Sequence, residues 1–363
     1  MRIMHVEAGR HLYGGARQVC YLVEGLAGEG FDNVLVCARG SGIAGAVRGA
    51  TVVELPIGGD LDVFWAGPLT KLIKAHKPTV VHVHSRRGAD LVGGRCARRA
   101  GVPAVLTRRV DNRELALWAR LKYRPYSVVA AISAAVETEL VQQVGLDPTR
   151  VVRVASAVDT ERHRPDHAAR ARLAVTLNNP PGSIVIGVVA QLIPRKGHAL
   201  LLDCLQEVIS RHPEVQVLCF GRGPQERALR RRIAAHGLAE HVRLMGFRDD
   251  LAVIMPGLDL LVHPARREGL GVAILEAMSC GVPVVASDAG GIPDIVEHER
   301  SGLLFPSGDS RELCAALMRM LDDESLRLRL ARAGRVRVQS RFSVPRMNRR
   351  YMEVYNRVLS TRT

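Results

Sequence analysis

The stretch REGLGVAILEAMSCGVPVVASDAGG, residues 267–291, holds two glutamates, Glu268 and Glu276, with seven residues between them in a mostly apolar run. A buried carboxylate is expensive unless it is paired or hydrogen-bonded. Glu268 stands before Gly-Leu-Gly (269–271), and Glu276 falls inside a helical pattern. Taken alone, the stretch reads as a capping glutamate followed by a surface glutamate on an amphipathic helix. The surrounding sequence decides whether the carboxylates do more.

Short β-branched runs alternate with helical patterns along the whole chain. RIMHV (2–6), NVLVCA (33–38), TVVHVH (79–84), PAVLT (103–107), SVVAAIS (127–133) and VVRVAS (151–156) read as buried parallel strands. ARQVCYLVEGLAGEG (16–30) and DLVGGRCARRAG (90–101) read as helices between them. This is the βαβ rhythm of a doubly wound α/β sheet. A polar, strandless break follows at 161–182, and then the rhythm restarts. The second series is SIVIGVVA (183–190), VQVLCFG (215–221), HVRLMG (241–246), LDLLVHP (258–264), PVVASD (283–288) and GLLFP (302–306). Two Rossmann-like domains are therefore expected, 1–160 and 161–342. A last helical pattern within 343–363 can pack back on the N-terminal domain or on the second.

The chain has 363 residues with 47% apolar and 24% charged side chains, an ordinary globular balance with room for two cores. Its formal charge of +15, from 51 basic and 36 acidic residues, makes nucleic acid, anionic lipid and phosphorylated substrates candidate partners. Seven scattered cysteines form no CxxC pair and are odd in number, which argues against a zinc site and a disulfide framework and for reduced, cytosolic thiols. The N-terminus lacks the apolar region of a signal peptide, and no stretch is long and apolar enough to span a bilayer. A cytoplasmic protein is expected, with any membrane contact peripheral.

Gly14 and Gly15 in RHLYGGARQV follow the first strand and open the first helix, where free N–H groups and the dipole suit a phosphate. Gly40, Gly42 and Gly45 form a G-x-G-x-x-G, but after the second strand and without the acidic residue a dinucleotide site needs about 20 residues on, so a flexible surface loop is the better account. In VVAQLIPRKGH (188–198), Arg195 and Lys196 sit between a strand end and a helix start, where cations can neutralise a diphosphate. FGRGP (220–224) adds a second glycine-rich strand end. Open α/β sheets bind ligands beyond the carboxyl ends of their strands. Gln191, Lys196, Gly221, Glu268 and Glu276 all lie at or after such ends. Gly269, Leu270 and Gly271 can offer backbone donors, Glu268 can accept from sugar hydroxyls, and Glu276, about two helical turns on, can accept a vicinal diol such as ribose.

With these residues the chain resembles, over essentially its whole length, the retaining GT-B glycosyltransferases of family four. The resemblance rests on the GG loop, VVHVHS, VAAISAAV, the K-G after QLIPR, the glutamate pair, GVPVVASDAGGIPDIV and SGLLFPSGD. It implies two Rossmann-like domains facing each other across a crevice, a nucleotide diphosphate sugar donor, and no metal or cofactor. It implies that Glu268 binds donor-sugar hydroxyls, that Glu276 binds the ribose, that Lys196 holds the diphosphate, and that the Gly14–Gly15 loop closes on it. The base is expected near the backbone of Gly246 and Phe247. The chain departs from the family at Ala190-Gln191, where the family has Gly-Arg, and at Ser156-Ala157-Val158-Asp159, where it has N-G-V-D. Arg195 is a partial substitute for the missing arginine. Arg109, in LTRRVDN, falls near the family's usual histidine. It can orient an acceptor or donor phosphate, and Asp111 can take the acceptor proton.

His82 and His84 face one side of a strand, and no third metal ligand stands nearby with useful spacing. Residues 86–124 are strongly basic, with Trp118, Tyr123 and Tyr126 interleaved. No nucleic-acid motif accompanies this stretch, and it fits an amphipathic helix on anionic lipid equally well; a glycolipid or polysaccharide acceptor favours the membrane-facing reading, with a plain solvated face as the alternative. The expected enzyme moves a hexose-like sugar to a saccharide or lipid-linked acceptor, in lipopolysaccharide or related surface-glycan synthesis. A nucleotide-sugar epimerase on the same fold and a basic nucleic-acid-binding protein are the alternatives.

Overall fold

Each apolar run forms a parallel strand in the computed structural model, which describes residues 1–58, 62–84, 88–110, 114–177, 180 and 182–360. The first unit, Met1–Ala157 with Val344–Thr363, contains β1 (Arg2–Glu7), β2 (Asp32–Ala38), β3 (Thr51–Leu55), β4 (Val80–Val83), β5 (Ala104–Arg108), β6 (Val128–Ala131) and β7 (Val151–Arg153). The second, Val158–Ser343, contains β8 (Ile184–Val189), β9 (Val215–Phe220), β10 (Val242–Gly246), β11 (Leu260–His263), β12 (Val284–Asp288) and β13 (Leu303–Pro306). The sheet orders are β3-β2-β1-β4-β5-β6-β7 and β10-β9-β8-β11-β12-β13. In each the order reverses beside the first strand: β1 lies between β2 and β4, and β8 between β9 and β11. These are two Rossmann-like α/β sheets, each with a switch point where a ligand crevice is expected.

Two local expectations change. Strand β3, TVVEL, is only partly buried, so it lacks the continuous apolar run of the others. Gly42–Ala46 is a short helix with Ile43 fully buried, not a flexible loop. No helix among the described residues is long and apolar enough to cross a membrane. All seven cysteines are buried and unbridged.

The last helix, Val344–Ser360, packs its Met347, Tyr351, Val354 and Tyr355 into the first unit's core with Ile3, Val80, Val105 and Val128. Its two tyrosines also enter a buried polar network. The Tyr355 hydroxyl meets His82 Nδ1 at 2.7 Å, and Thr107 Oγ1 meets both His82 Nε2 (2.8 Å) and the Tyr351 hydroxyl (2.9 Å). His5, in register with His82, meets His84 Nε2 at 3.0 Å and Asn33 Oδ1 at 3.2 Å. His5 is thus the third histidine that sequence spacing did not supply, and the three rings each bring a nitrogen within 4.8 Å of the others. Both nitrogens of His5 and of His82 are engaged by neighbouring side chains, so the cluster is a hydrogen-bond network. Burial is the chief force lowering all three imidazole pKa values, that of His5 to about 4, which keeps the rings neutral.

Tyr355→Phe keeps the packing and strips His82 Nδ1 of its partner. The expected loss is about 1–3 kcal/mol of unfolding free energy, read as a lower denaturant midpoint with an unchanged slope. An unchanged midpoint would show that the network does not fasten the helix.

Candidate functional site

In the second unit, the turn after β8 carries Lys196 in a short helical turn, Pro194–Lys196, and the segment after β11 carries Glu268. The Lys196 ammonium donates to Glu268 Oε2 across 72 residues of sequence. His263 Nε2 lies 2.8 Å from the same oxygen, and the Gly269 N–H donates to Oε1 at 3.1 Å. Burial opposes ionisation of Glu268, but the His263 hydrogen bond and the Lys196 charge outweigh it and hold the carboxyl well below the usual range. Burial lowers the His263 pKa, and Glu268 only partly restores it. Two glycines make the close packing possible. Gly197 has φ +74° and a Cβ there would lie 1.8 Å from the Pro264 carbonyl oxygen; Gly290 has φ +55° and its Cβ would lie 2.0 Å from the Glu268 carbonyl oxygen.

The helix Val272–Ser279 starts directly after Gly271, whose φ is +104°. Gly269, Leu270 and Gly271 are buried at its entrance. Glu276 therefore sits one turn inside this helix, with Glu268 before its glycine entrance as the sequence suggests. Its Oε1 lies 3.8 Å from Nε2 of His163, a residue that carries no motif in the sequence. The loops after β8, β9 and β10 interlock: the Gly221 N–H donates to the Gly246 carbonyl (2.7 Å), and the Leu192 N–H to that of Arg222 (3.1 Å). Gln191, Gly221 and Gly246 thus share one end of the sheet with Lys196, and Phe247 beside them is half exposed. Arg195 is held along the segment after β11, its carbonyl accepting from the Arg266 N–H at 2.8 Å and its Nη1 3.5 Å from the Arg267 carbonyl.

Two further residues escaped the sequence reading. Arg222, in the glycine-rich FGRGP, is exposed at the turn beside Gln191, so its position offers a cation near the one that Gln191 lacks. His198 is buried, neither ring nitrogen has a hydrogen-bond partner among the described residues, and burial above all, then His263 and Lys196, pushes its pKa down to about 4.

In the first unit, a cavity of about 390 Å³ opens at the carboxyl ends of β1, β4 and β5, with Glu7, Arg10, Gly15, His84, Thr107 and Arg109 among its walls. The helix Gly14–Gly28 begins there. Open space surrounds Gly14, and a Cβ on Gly15 would lie 3.6 Å from Arg109 Cδ. Gln18 on the same helix exchanges two 2.7 Å hydrogen bonds with the backbone of Ala157, fixing the end of the first unit's main segment. Asp111 lies outside the described residues, as do Arg86, Arg87 and Arg113.

The basic stretch 86–124 is in part the cationic face expected, with Arg98, Arg99, Arg120 and Arg124 exposed, and in part internally paired. Arg108 is buried against Glu114 (2.8 Å) and Glu139 (3.6 Å), Lys122 pairs with Asp90 (3.0 Å) and Glu114, and Arg120 donates to the Val144 carbonyl at 2.7 Å. Tyr123 and Tyr126 are buried. The helix Ala116–Tyr123 and the residue before it expose Leu115, Leu117, Trp118 and Leu121 together with Arg120. Sequence charge counts do not show such internal pairing.

Comparison with known proteins places residues 13–162 in a match to the family described as Glycosyltransferase Family 4, and residues 170–337 in a match to Glycosyl transferases group 1. The D-inositol 3-phosphate glycosyltransferase of Jonesia denitrificans is 32% identical over 344 residues, covering 86% of this chain and 80% of that relative. The GDP-mannose-dependent monoacylated alpha-(1-6)-phosphatidylinositol monomannoside mannosyltransferase of Corynebacterium glutamicum is 33% identical over 213 residues. That match spans 55% of this chain and about half, 54%, of the relative. Among solved structures, Anabaena HepE in complex with UDP and glucose superposes with a TM-score of 0.87 at 22% identity, covering 98% of this chain and 99% of that one.

The Glu268 carboxylate has a lowered folded-state pKa, so its stabilising contribution is present above the unfolded glutamate pKa of about 4.3 and fades as pH falls through and below it. The stability gap between wild type and Glu268→Gln is therefore expected to be largest near neutrality and to shrink below about pH 4. Urea unfolding across pH measures it, and a gap that is flat with pH would contradict the ion-paired state.

Proposed function

The chain belongs to glycosyltransferase family 4, has the GT-B pair of Rossmann-like units and is a glycosyltransferase that uses a nucleotide sugar; we propose that it transfers a hexose-like sugar, with retention at the anomeric carbon, to a saccharide or lipid-linked acceptor. The second unit takes the donor and the first the acceptor. The observation that carries this reading is the meeting of Lys196 and Glu268 at the switch point of the second sheet, with Glu276 in the helix that follows.

A diphosphate brings more negative charge than one carboxylate, so it competes well for the Lys196 ammonium now held by Glu268. Lys196, the amides around Gly269–Gly271 and the nearby Arg222 then stabilise the leaving diphosphate, an electrostatic role needing no proton transfer to the leaving group. Glu268 is released to accept from sugar hydroxyls, and Glu276 accepts from the ribose. An epimerase needs an acid/base pair facing a sugar ring, whereas Glu268 and His263 are here bound to each other and Glu268 to Lys196, which disfavours that alternative. The described basic residues of 86–124 that are internally paired also weaken the nucleic-acid reading.

The exposed leucines and Trp118 favour an acceptor presented at a membrane surface, where an amphipathic aromatic prefers the interface. A cell-surface glycan, lipopolysaccharide included, is the corresponding product class.

The test is release of nucleoside diphosphate from UDP-, GDP- and ADP-sugars with extracted glycolipid acceptors in anionic vesicles. Wild type is expected to turn over one donor, and Lys196→Met to lose at least about a hundredfold in kcat, as for removal of a group stabilising developing charge. Leu117→Ser/Trp118→Ser is expected to lower vesicle binding and transfer from vesicles while leaving transfer to detergent-dispersed acceptor unchanged. Full activity in Lys196→Met would overturn the donor assignment, and undiminished vesicle binding in the double variant would overturn the membrane surface.

A further inference from the structure

The Glu268 carboxylate is held by unlike groups. Lys196 reaches Oε2 from a short helical turn, on a long side chain that carries a full charge. His263 reaches the same oxygen at 2.8 Å from the last position of β11, and the Gly269 N–H meets Oε1 at 3.1 Å. The imidazole is short, planar and enclosed. Its backbone is fixed as well. His263 pairs with Ala286 of β12, and the buried Ser287 hydroxyl donates to the Ala265 carbonyl just past the strand end.

The tautomer of His263 follows from its partners. An ionised carboxylate only accepts hydrogen bonds, so Nε2 carries the proton. Nδ1 is buried and has no hydrogen-bond partner among the described residues. A second proton there would be a buried donor with nothing to receive it. Burial lowers the pKa of this imidazole in the same sense. His263 is therefore a neutral group donating to Glu268. Accessibility separates it further from its neighbours. The side chains of Lys196 and Glu268 keep 11% and 12% exposure, that of His263 only 3%. His263 is closed to a ligand and can act on one only through Glu268.

We propose that His263 is a positioning residue, which keeps the Glu268 carboxylate in place for the donor sugar when a diphosphate draws Lys196 away. The inference rests on the donor site proposed above and adds to it a residue that never touches the sugar. A diphosphate attracts the Lys196 ammonium but has no comparable hold on a neutral imidazole. After the lysine leaves, His263 and Gly269 still occupy one acceptor position on each carboxylate oxygen. Of the roughly four lone-pair sites of a carboxylate, two then remain for sugar hydroxyls, in a fixed plane. Without His263 the carboxylate is free to turn or to follow the lysine.

The test is calorimetric titration of the full chain with UDP, GDP and ADP and with UDP-glucose, GDP-mannose and ADP-glucose. The quantity read is the affinity for a nucleotide sugar relative to its bare nucleoside diphosphate. Any effect on Lys196 and the diphosphate cancels in that ratio. His263→Ala is expected to lower the ratio about tenfold or more, as loss of a hydrogen bond to a charged group provides. His263→Gln places an amide N–H where Nε2 stood and is expected to recover most of the ratio. His263→Asn is one bond shorter, places its N–H where Nδ1 stood, and is expected to stay as low as His263→Ala. A merely structural histidine would leave the ratio unmoved in all three variants. An unchanged ratio in His263→Ala, or Asn matching Gln, would overturn the proposal while leaving the donor site standing. Wild type that binds none of the six compounds would overturn the donor-site reading, and the proposal with it.

Discussion

The second unit is organised around one ion pair, Lys196 with Glu268, reinforced by His263. It forms because β8 and β11 are parallel neighbours, with Leu260 opposite Ile186, so that both strands deliver their following loops to the same end of the sheet. The loops approach closely only because Gly197 and Gly290 have no side chain to obstruct them. A buried pair of this kind is weak evidence for stability, since desolvation offsets most of the attraction. Under the proposed function, its position at a topological switch point gives it another use: Lys196 supplies a cation for a diphosphate and Glu268 a carboxylate for a sugar, both already largely buried.

The first unit handles its polar interior in two ways. Its histidines are buried, neutral and joined to Asn33, Thr107, Tyr351 and Tyr355, which ties the returning C-terminal helix to the sheet. Two residues beyond Thr107, Arg109 leaves its Nε and Nη2 without a hydrogen-bond partner among the described residues. A network that satisfies itself fixes structure.

Much of this was legible in the sequence, for identifiable reasons. Buried parallel strands are apolar on both faces, so all but one stand out as β-branched runs, and their restart after the polar break marks the second sheet. Strand β3 has partly exposed positions and blends into its surroundings. Glu268 and Glu276 were recognisable by the motif around them, whereas the start of the helix at Val272 depends on a positive φ at Gly271 that the letters do not state. His5 could not be joined to His82 and His84 without strand register, which brings β1 against β4 from distant parts of the sequence. In the basic run at 86–124, charge counting treats every cation as exposed; Arg98, Arg99 and Arg124 are, while Arg108 and Lys122 point into carboxylates. His163 and Arg222 have their places set by the folding of separate loops, for which no local pattern exists.

The most direct measurement is calorimetric titration of wild type and Glu276→Ala with UDP, GDP and ADP. The account predicts that wild type binds one of the three in preference to the others, and that Glu276→Ala weakens that binding by about tenfold or more, the loss of a hydrogen-bonded charged acceptor. Binding of none of the three, or binding untouched by the substitution, would contradict a donor site built around Lys196, Glu268 and Glu276.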